Sequence, residues 1–93
     1  MPKRLVTFLW QFARRPAVTG AIAPSSRDLA HSILEGMGLE SADVIFEFGA
    51  GTGAFTRAIL ERMKPSAQFV AVEVNPVMVK HLRRRFPGLR IMA

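Results

Sequence analysis

The stretch that most constrains the fold of this chain is an apolar segment, residues 44–48, followed at once by alternating glycines at Gly49, Gly51 and Gly53. The five residues before Gly49 have the composition of a β-strand, and a helical pattern begins just after Gly53. Glycine accepts the backbone angles of a sharp turn and lets a bound group approach the main chain closely. The stretch therefore predicts a βαβ unit whose turn binds a nucleotide-like ligand.

Composition limits the classes of protein to which the chain can belong. Of its 93 residues, 49% are hydrophobic and 22% are charged, which fits one folded domain and excludes a disordered tail. No apolar run approaches the roughly 20 residues that cross a bilayer, and the apolar start is too short for a signal peptide. The absence of cysteine excludes disulfides and cysteine metal sites and favours a cytoplasmic protein.

The positive charge of the chain predicts an anionic partner, either RNA or a membrane surface. Thirteen Lys and Arg residues against seven Asp and Glu residues give a net charge of +6. Helical spacing over residues 3–15 predicts a basic amphipathic helix, which either lies in a membrane interface or docks on its own domain. The residues predicted to bind the membrane are Lys3, Arg4, Phe8, Trp10, Phe12, Arg14 and Arg15.

The rest of the chain alternates between helical and strand patterns. Residues 1–24 are expected to form the basic helix and a connector, and residues 25–93 a truncated Rossmann-like domain. Its strands are predicted at residues 44–48, 68–74 and 89–92, and its helices at 25–35, 54–63 and 76–86. The predicted fold class is α/β, the N-terminal three-strand part of a Rossmann-like parallel sheet preceded by two helices. The open edge of the third strand would favour self-association.

The glycine turn fits two classes of cofactor. A dinucleotide site needs G-x-G-x-x-G/A, which Gly49, Gly51 and Ala54 satisfy, with Glu73 placed to bind a ribose. Two features favour a cationic cofactor instead. Glu47 would repel a pyrophosphate and attract a sulfonium amino acid, and Gly53 extends the glycine alternation.

Residues 47–53 resemble the first motif of the class I S-adenosylmethionine-dependent methyltransferases, and residues 71–75 resemble their second strand. The resemblance implies that S-adenosyl-L-methionine is the cofactor, with Glu47 near its amino group and Glu73 on both ribose hydroxyls. The cofactor-binding residues that it implies are Glu47, Gly49, Ala50, Gly51, Thr52, Gly53, Glu73 and Val74. No catalytic residue and no metal ligand is assigned, and both histidines are expected to be ordinary helix residues.

Flanking stretches are similar to bacterial phospholipid N-methyltransferases, at residues 8–16, 19–22, 24–26 and 85–88. That family implies a basic helix at the membrane, methylation of phosphatidylethanolamine towards phosphatidylcholine, and a peripheral place on the inner membrane. The glycine turn is also similar to ribosomal RNA adenine dimethyltransferases, so RNA adenine N6-dimethylation is an alternative. A non-catalytic fragment that binds membrane or RNA is a third. Both families continue beyond Ala93, so the chain is expected to be the cofactor-binding half.

Overall fold

The computed structural model describes residues 3–9 and 26–93, which build a four-stranded parallel sheet with helices between its strands. The elements are β1 (Leu5–Leu9), α1 (Ser26–Leu34), a 3₁₀ turn (Leu39–Ser41), β2 (Val44–Phe48), α2 (Ala54–Arg62), β3 (Gln68–Val72), α3 (Pro76–Arg85) and β4 (Arg90–Met92). The strands lie in the order β1-β2-β3-β4, and each pairs in parallel with its neighbour. Parallel neighbours need crossover connections; α2 connects β2 to β3, and α3 connects β3 to β4. The predicted α/β Rossmann-like class is confirmed, with one strand more than predicted.

The start of α3 illustrates how local sequence sets an element boundary. The Asn75 side chain accepts hydrogen bonds from the backbone N–H groups of Val77 at 2.9 Å and Met78 at 3.4 Å. Pro76 occupies the first helical position, where its missing N–H costs nothing. This boundary, and all of β2, lie where the sequence predicts them. In α2, the helical spacing of apolar residues predicts that Leu60 is buried, but Leu60 is 39% exposed because it lies at the edge of the apolar stripe.

The predicted amphipathic helix over residues 3–15 is wrong over Leu5–Leu9, which form the edge strand β1. Val6 is buried in the core, whereas Leu5 is 59% exposed and Thr7 is exposed, as the two-residue period of a strand requires. Pairing with β2 gives the backbone of this segment hydrogen-bonding partners that no helical wheel takes into account. Trp10, Phe12, Arg14 and Arg15 lie outside the described residues.

The core lies on the face of the sheet that α1 and α2 cover. Ile45 of β2 and Phe69 of β3 are partners in register, and both pack with Leu34 of α1 and Ile59 of α2. A smaller cluster joins Ala71 of β3 to Leu82 of α3. This packing fixes the ends of β2 and β3 against the helices that follow them. Within residues 3–9 and 26–93, no helix has the length and apolar character needed to cross a bilayer.

Candidate functional site

Two loops meet at the carboxyl edge of the sheet, one after β2 and one after β3. The first contains Gly49, Gly51 and Gly53, with φ angles of 75°, 58° and 91°, which are left-handed values that glycine adopts without strain. The backbone N–H of Gly49 donates to the carbonyl oxygen of Val72 at 2.8 Å, which anchors this loop to β3. In open α/β sheets, ligands bind at this edge. The predicted turn and its neighbouring loop therefore lie where a ligand site is expected.

Glu73 connects the two loops. Its Oε1 accepts a hydrogen bond from the Gly51 N–H at 2.8 Å, and its Oε2 accepts one from the Asn75 N–H at 2.9 Å. The residue is only 6% exposed. Each carboxylate oxygen can accept a second hydrogen bond, so Glu73 keeps capacity for hydroxyl donors of a ligand while it holds the loops together.

Glu47 is a buried carboxyl group, and one of its oxygens has no hydrogen-bond partner among the described residues. It lies in β2 with no exposed surface, and the Thr56 hydroxyl of α2 donates to its Oε1 at 2.5 Å. No donor within the described residues reaches its Oε2. Burial raises the pKa of Glu47 to about 7, the Thr56 hydrogen bond opposes this shift, and the negative charge of Glu73 adds to it. A buried acceptor without a donor is costly, so this oxygen suits a ligand that brings a positively charged donor.

The end of α3 supports the glycine turn from the other side. The Arg85 guanidinium donates from Nη1 to the carbonyl oxygen of Thr52 at 2.8 Å. A Cβ atom on Gly53 would lie 2.6 Å from Cε2 of Phe86, so a side chain here would have to displace Phe86 as well as adopt an unfavourable φ angle. The guanidinium carbons of Arg57 and Arg85 lie 5.7 and 5.3 Å from the Phe86 ring centroid. The shape of the turn is thus fixed by the chain itself.

The structure brings together Glu47, the glycine turn and Glu73 at one edge of the sheet. Within the turn, Ala50 is buried and Thr52 is exposed. Val74, also predicted to bind the cofactor, has a side chain that is 75% exposed.

Sequence reasoning missed the Thr56 hydroxyl as the partner of Glu47, and it missed Arg85 as the support of the turn. The only signal for Thr56 was its place in the first turn of the helix that follows the glycines. Arg85 appeared in the sequence only as part of a basic run and of a flanking resemblance.

The residues predicted to bind a membrane are only partly described. Lys3 and Arg4 are exposed, but the Arg4 guanidinium donates to the Ser41 hydroxyl at 2.8 Å. Its backbone N–H donates to Oδ2 of Asp43 at 2.9 Å, and Phe8 lies in β1. Arg4 is therefore engaged with the loop before β2. In the described part of the chain, no three His, Asp or Glu side chains are grouped as metal ligands would be.

The sequence matches known methyltransferases along most of its length. The family model for ribosomal RNA adenine dimethylase matches residues 25–92. Ornithine lipid N-methyltransferase of Singulisphaera acidiphila is 33% identical over 84 residues, which are 90% of this chain and 44% of that protein. A ribosomal RNA small subunit methyltransferase of Arabidopsis thaliana is 45% identical over 60 residues, 64% of this chain and 16% of that protein.

A third relative has yet another acceptor in its name. The malonyl-acyl-carrier-protein O-methyltransferase of Acetivibrio thermocellus is 31% identical over 77 residues, 81% of this chain and 27% of that protein. The chain thus spans less than half of each of these relatives. No solved structure is significantly similar to it. The three names share methyl transfer and differ in the acceptor, so the similarity alone does not select a substrate.

Proposed function

This chain belongs to the ribosomal RNA adenine dimethylase family of S-adenosylmethionine-dependent methyltransferases, and we propose that it is the cofactor-binding part of an N-methyltransferase. The observation that carries the proposal is the pair of buried carboxyl groups beside the glycine turn. Glu47 offers an oxygen that no donor of the described residues reaches, and Glu73 offers acceptor capacity next to Gly51. A cofactor with an ammonium group and a ribose supplies donors for both.

Each group of the site has a distinct role in this proposal. Glu47 would accept a hydrogen bond from the cofactor's amino group, and Glu73 would accept hydrogen bonds from the ribose hydroxyls. Because Glu47 is buried, its attraction for a positive charge is screened less than it would be in water. When bound, S-adenosylmethionine supplies an electrophilic methyl group on a positively charged sulfur. Methyl transfer needs alignment and exclusion of water more than an acid or a base, which fits a rigid turn.

Calorimetry with S-adenosylhomocysteine, which keeps the amino group and the ribose, tests this assignment. We expect the chain to bind it, and we expect Glu47→Gln to weaken binding about 10- to 100-fold, because a hydrogen bond to a charged group is lost. Glu35→Gln is the matched control, since it removes the same charge from an exposed residue of the described chain. No heat from the folded wild-type chain, or equal loss in both variants, would contradict the proposal.

For the acceptor, we propose a membrane lipid amine, in the direction from phosphatidylethanolamine to phosphatidylcholine, with the protein peripheral on the inner membrane and exposed to the cytoplasm. The 84-residue match to the lipid methyltransferase leaves only nine residues of this chain unmatched. It therefore includes Trp10, Arg14 and Arg15, whereas the family model begins at residue 25. This basic and aromatic segment has the composition of a sequence that binds anionic headgroups.

Flotation with anionic vesicles tests the lipid assignment. We expect the wild-type chain to float with vesicles that contain phosphatidylglycerol, and Trp10→Glu to reduce this binding. Ser66→Glu is the control, because it adds the same negative charge at an exposed loop residue. Equal reduction by both variants, or no flotation of the wild-type chain, would argue against a lipid acceptor.

RNA adenine is the second candidate acceptor, and two observations favour it. The matching family model is that of ribosomal RNA adenine dimethylase, and an RNA methyltransferase is 45% identical over the matched region. Electrophoretic mobility shifts with a ribosomal RNA hairpin test this alternative. If the chain shifts the RNA hairpin but does not bind anionic vesicles, RNA adenine replaces the lipid amine as the proposed acceptor.

A further inference from the structure

We propose that a groove beside α3 binds the phosphate group of an anionic membrane phospholipid; the inference deepens the lipid assignment made above and rests on it. The groove has a volume of about 500 Å³ and combines a basic rim with an apolar lining. Its lining includes Val74, Pro76, Val79, Lys80, Arg83 and Arg84.

The cations of this groove form no ion pair with any described part of the chain. Lys80, Arg83 and Arg84 are exposed, α3 contains no acidic residue, and none of the three makes an ion pair within residues 3–9 and 26–93. By contrast, Arg62 pairs with Glu40 and Lys64 pairs with Asp43. The positive charge of the α3 groove is therefore available to an external anion.

Exposed apolar side chains beside these cations favour a membrane over RNA. Val74, which lines the groove, is 75% exposed, and Val77, near the start of α3, is 72% exposed. A lipid presents a phosphate next to hydrocarbon, which matches cations next to exposed aliphatic groups. RNA would instead be expected to stack on exposed aromatic rings, but no aromatic side chain of the described residues lines the groove.

The groove is next to the candidate cofactor site. Val74 and Pro76, which line the groove, flank Asn75, whose backbone N–H donates to Glu73. The glycine turn follows β2 and the Glu73–Asn75 loop follows β3. Because β2 and β3 are parallel, the two loops lie at the same edge of the sheet. A phospholipid held here would bring the membrane surface to the edge where the cofactor is proposed to bind.

Flotation with phosphatidylcholine vesicles that contain phosphatidylglycerol tests the groove, with matched single-charge variants. We expect Arg84→Gln to weaken binding about fivefold, and the triple variant of Lys80, Arg83 and Arg84 to Gln about 100-fold, since each cation near an anionic surface contributes a similar factor. Arg90→Gln removes one charge from an exposed residue outside the groove, so its effect should be much smaller. We expect Val77→Asn to weaken binding while the salt dependence stays unchanged.

Three results would overturn the inference. Equal weakening by Arg84→Gln and Arg90→Gln would indicate attraction by net charge alone. Vesicle binding that is unaffected by the triple variant would place the contact elsewhere. Binding of a ribosomal RNA hairpin that depends on Arg84, without a matching change in vesicle binding, would assign the groove to RNA. Calorimetry with S-adenosylhomocysteine keeps the two proposals separate. If the wild-type chain binds vesicles through this groove but shows no heat of binding with S-adenosylhomocysteine, only the cofactor assignment is contradicted.

Discussion

The backbone N–H of Gly51 donates to Oε1 of Glu73 at 2.8 Å, across 22 residues of sequence and between two adjacent βα loops. The other oxygen of Glu73 accepts a hydrogen bond from the N–H of Asn75, so a single carboxylate sets the positions of both loops. The resemblance to methyltransferases implies only a ligand contact for this residue. The structure adds a second role, since Glu73 organises the site before any ligand arrives.

Because Glu73 holds the two loops together, we expect Glu73→Gln to destabilise the protein even when no ligand is bound. A glutamine keeps one acceptor oxygen and turns its NH₂ group towards the other backbone N–H, which is left without a partner. We expect the free energy of unfolding to fall by about 1–3 kcal/mol in urea denaturation. Glu35→Gln, at an exposed position, should change it by less than about 0.5 kcal/mol. Unchanged stability of Glu73→Gln would mean that the two hydrogen bonds contribute nothing to the free protein.

The raised pKa of Glu47 predicts that the protein loses stability as the pH rises. The carboxyl group has an ordinary value of 4.5 when the chain is unfolded and a value of about 7 when it is folded, mainly because it is buried. Below pH 4.5 it is protonated in both states and costs nothing. Between pH 4.5 and about 7 the unfolded chain has released this proton while the folded protein keeps it, so the stability falls across this range and levels off above pH 7, where both states are ionised.

The Glu47→Gln variant measures this effect, because glutamine cannot ionise. Between pH 5 and pH 8.5, we expect the wild-type chain to lose about 2–3 kcal/mol of unfolding free energy relative to the variant. Other titrating groups, including Asp43, whose pKa is lowered by its hydrogen bonds to the Arg4 backbone and Lys64, cancel in the comparison. Urea denaturation of both proteins at several pH values provides the measurement. Parallel curves would show that Glu47 does not titrate in this range.

The Thr56 hydroxyl should matter most when Glu47 is ionised. Thr56→Val keeps the shape of the side chain and removes the donor to Oε1 of Glu47, so the pKa of Glu47 should rise further. We expect the variant to lose about 1–3 kcal/mol more at pH 8.5 than at pH 5. Thr56→Ser keeps the hydroxyl and loses a methyl group, so its cost should be the same at both pH values. A cost of Thr56→Val that is independent of pH would contradict a charge-linked hydrogen bond.

The region after residue 25 was predictable because its signals are local. The bounds of β2, the Asn75 cap and the glycine turn all follow from neighbouring residue types whose preferences agree with the final fold. The first segment was not predictable in this way. Residues 3–15 have a helical wheel that separates charge from apolar groups, but the free edge of β2 provides residues 5–9 with a partner for a parallel strand. A pairing between segments 39 residues apart leaves no periodic trace in either one.

In the candidate site, too, some features could be predicted from neighbouring residues in sequence and others could not. The identities of Glu47 and Glu73 could be chosen from the glycine pattern and the resemblance, because both lie at strand ends in sequence. The partner of Glu47 in α2 and the contact from Arg85 to Thr52 depend on how helices pack after the strands are formed. Such contacts join residues that share no sequence motif. The chemistry of the site was therefore accessible from sequence, whereas its support was not.

Two glycines with nearly the same backbone angle distinguish packing from backbone strain at the glycine turn. Gly53 and Gly88 have φ angles of 91° and 92°, so an alanine at either position has the same unfavourable left-handed conformation. A Cβ at Gly53 would also lie 2.6 Å from Cε2 of Phe86 and 3.0 Å from Cδ2 of Leu82, whereas none of the described chain lies within 4 Å of a Cβ at Gly88.

We therefore expect Gly88→Ala to lower the free energy of unfolding by about 1–2 kcal/mol and Gly53→Ala to lower it by about 1–3 kcal/mol more. Because Phe86 and Leu82 belong to α3, the displacement caused by Gly53→Ala should also disturb the contact from Arg85 to Thr52 and weaken binding of S-adenosylhomocysteine. Gly88→Ala should leave that binding unchanged. Equal losses of stability in the two variants would show that α3 can shift to accommodate the added methyl group without a loss of free energy. The helix would then not fix the shape of the turn.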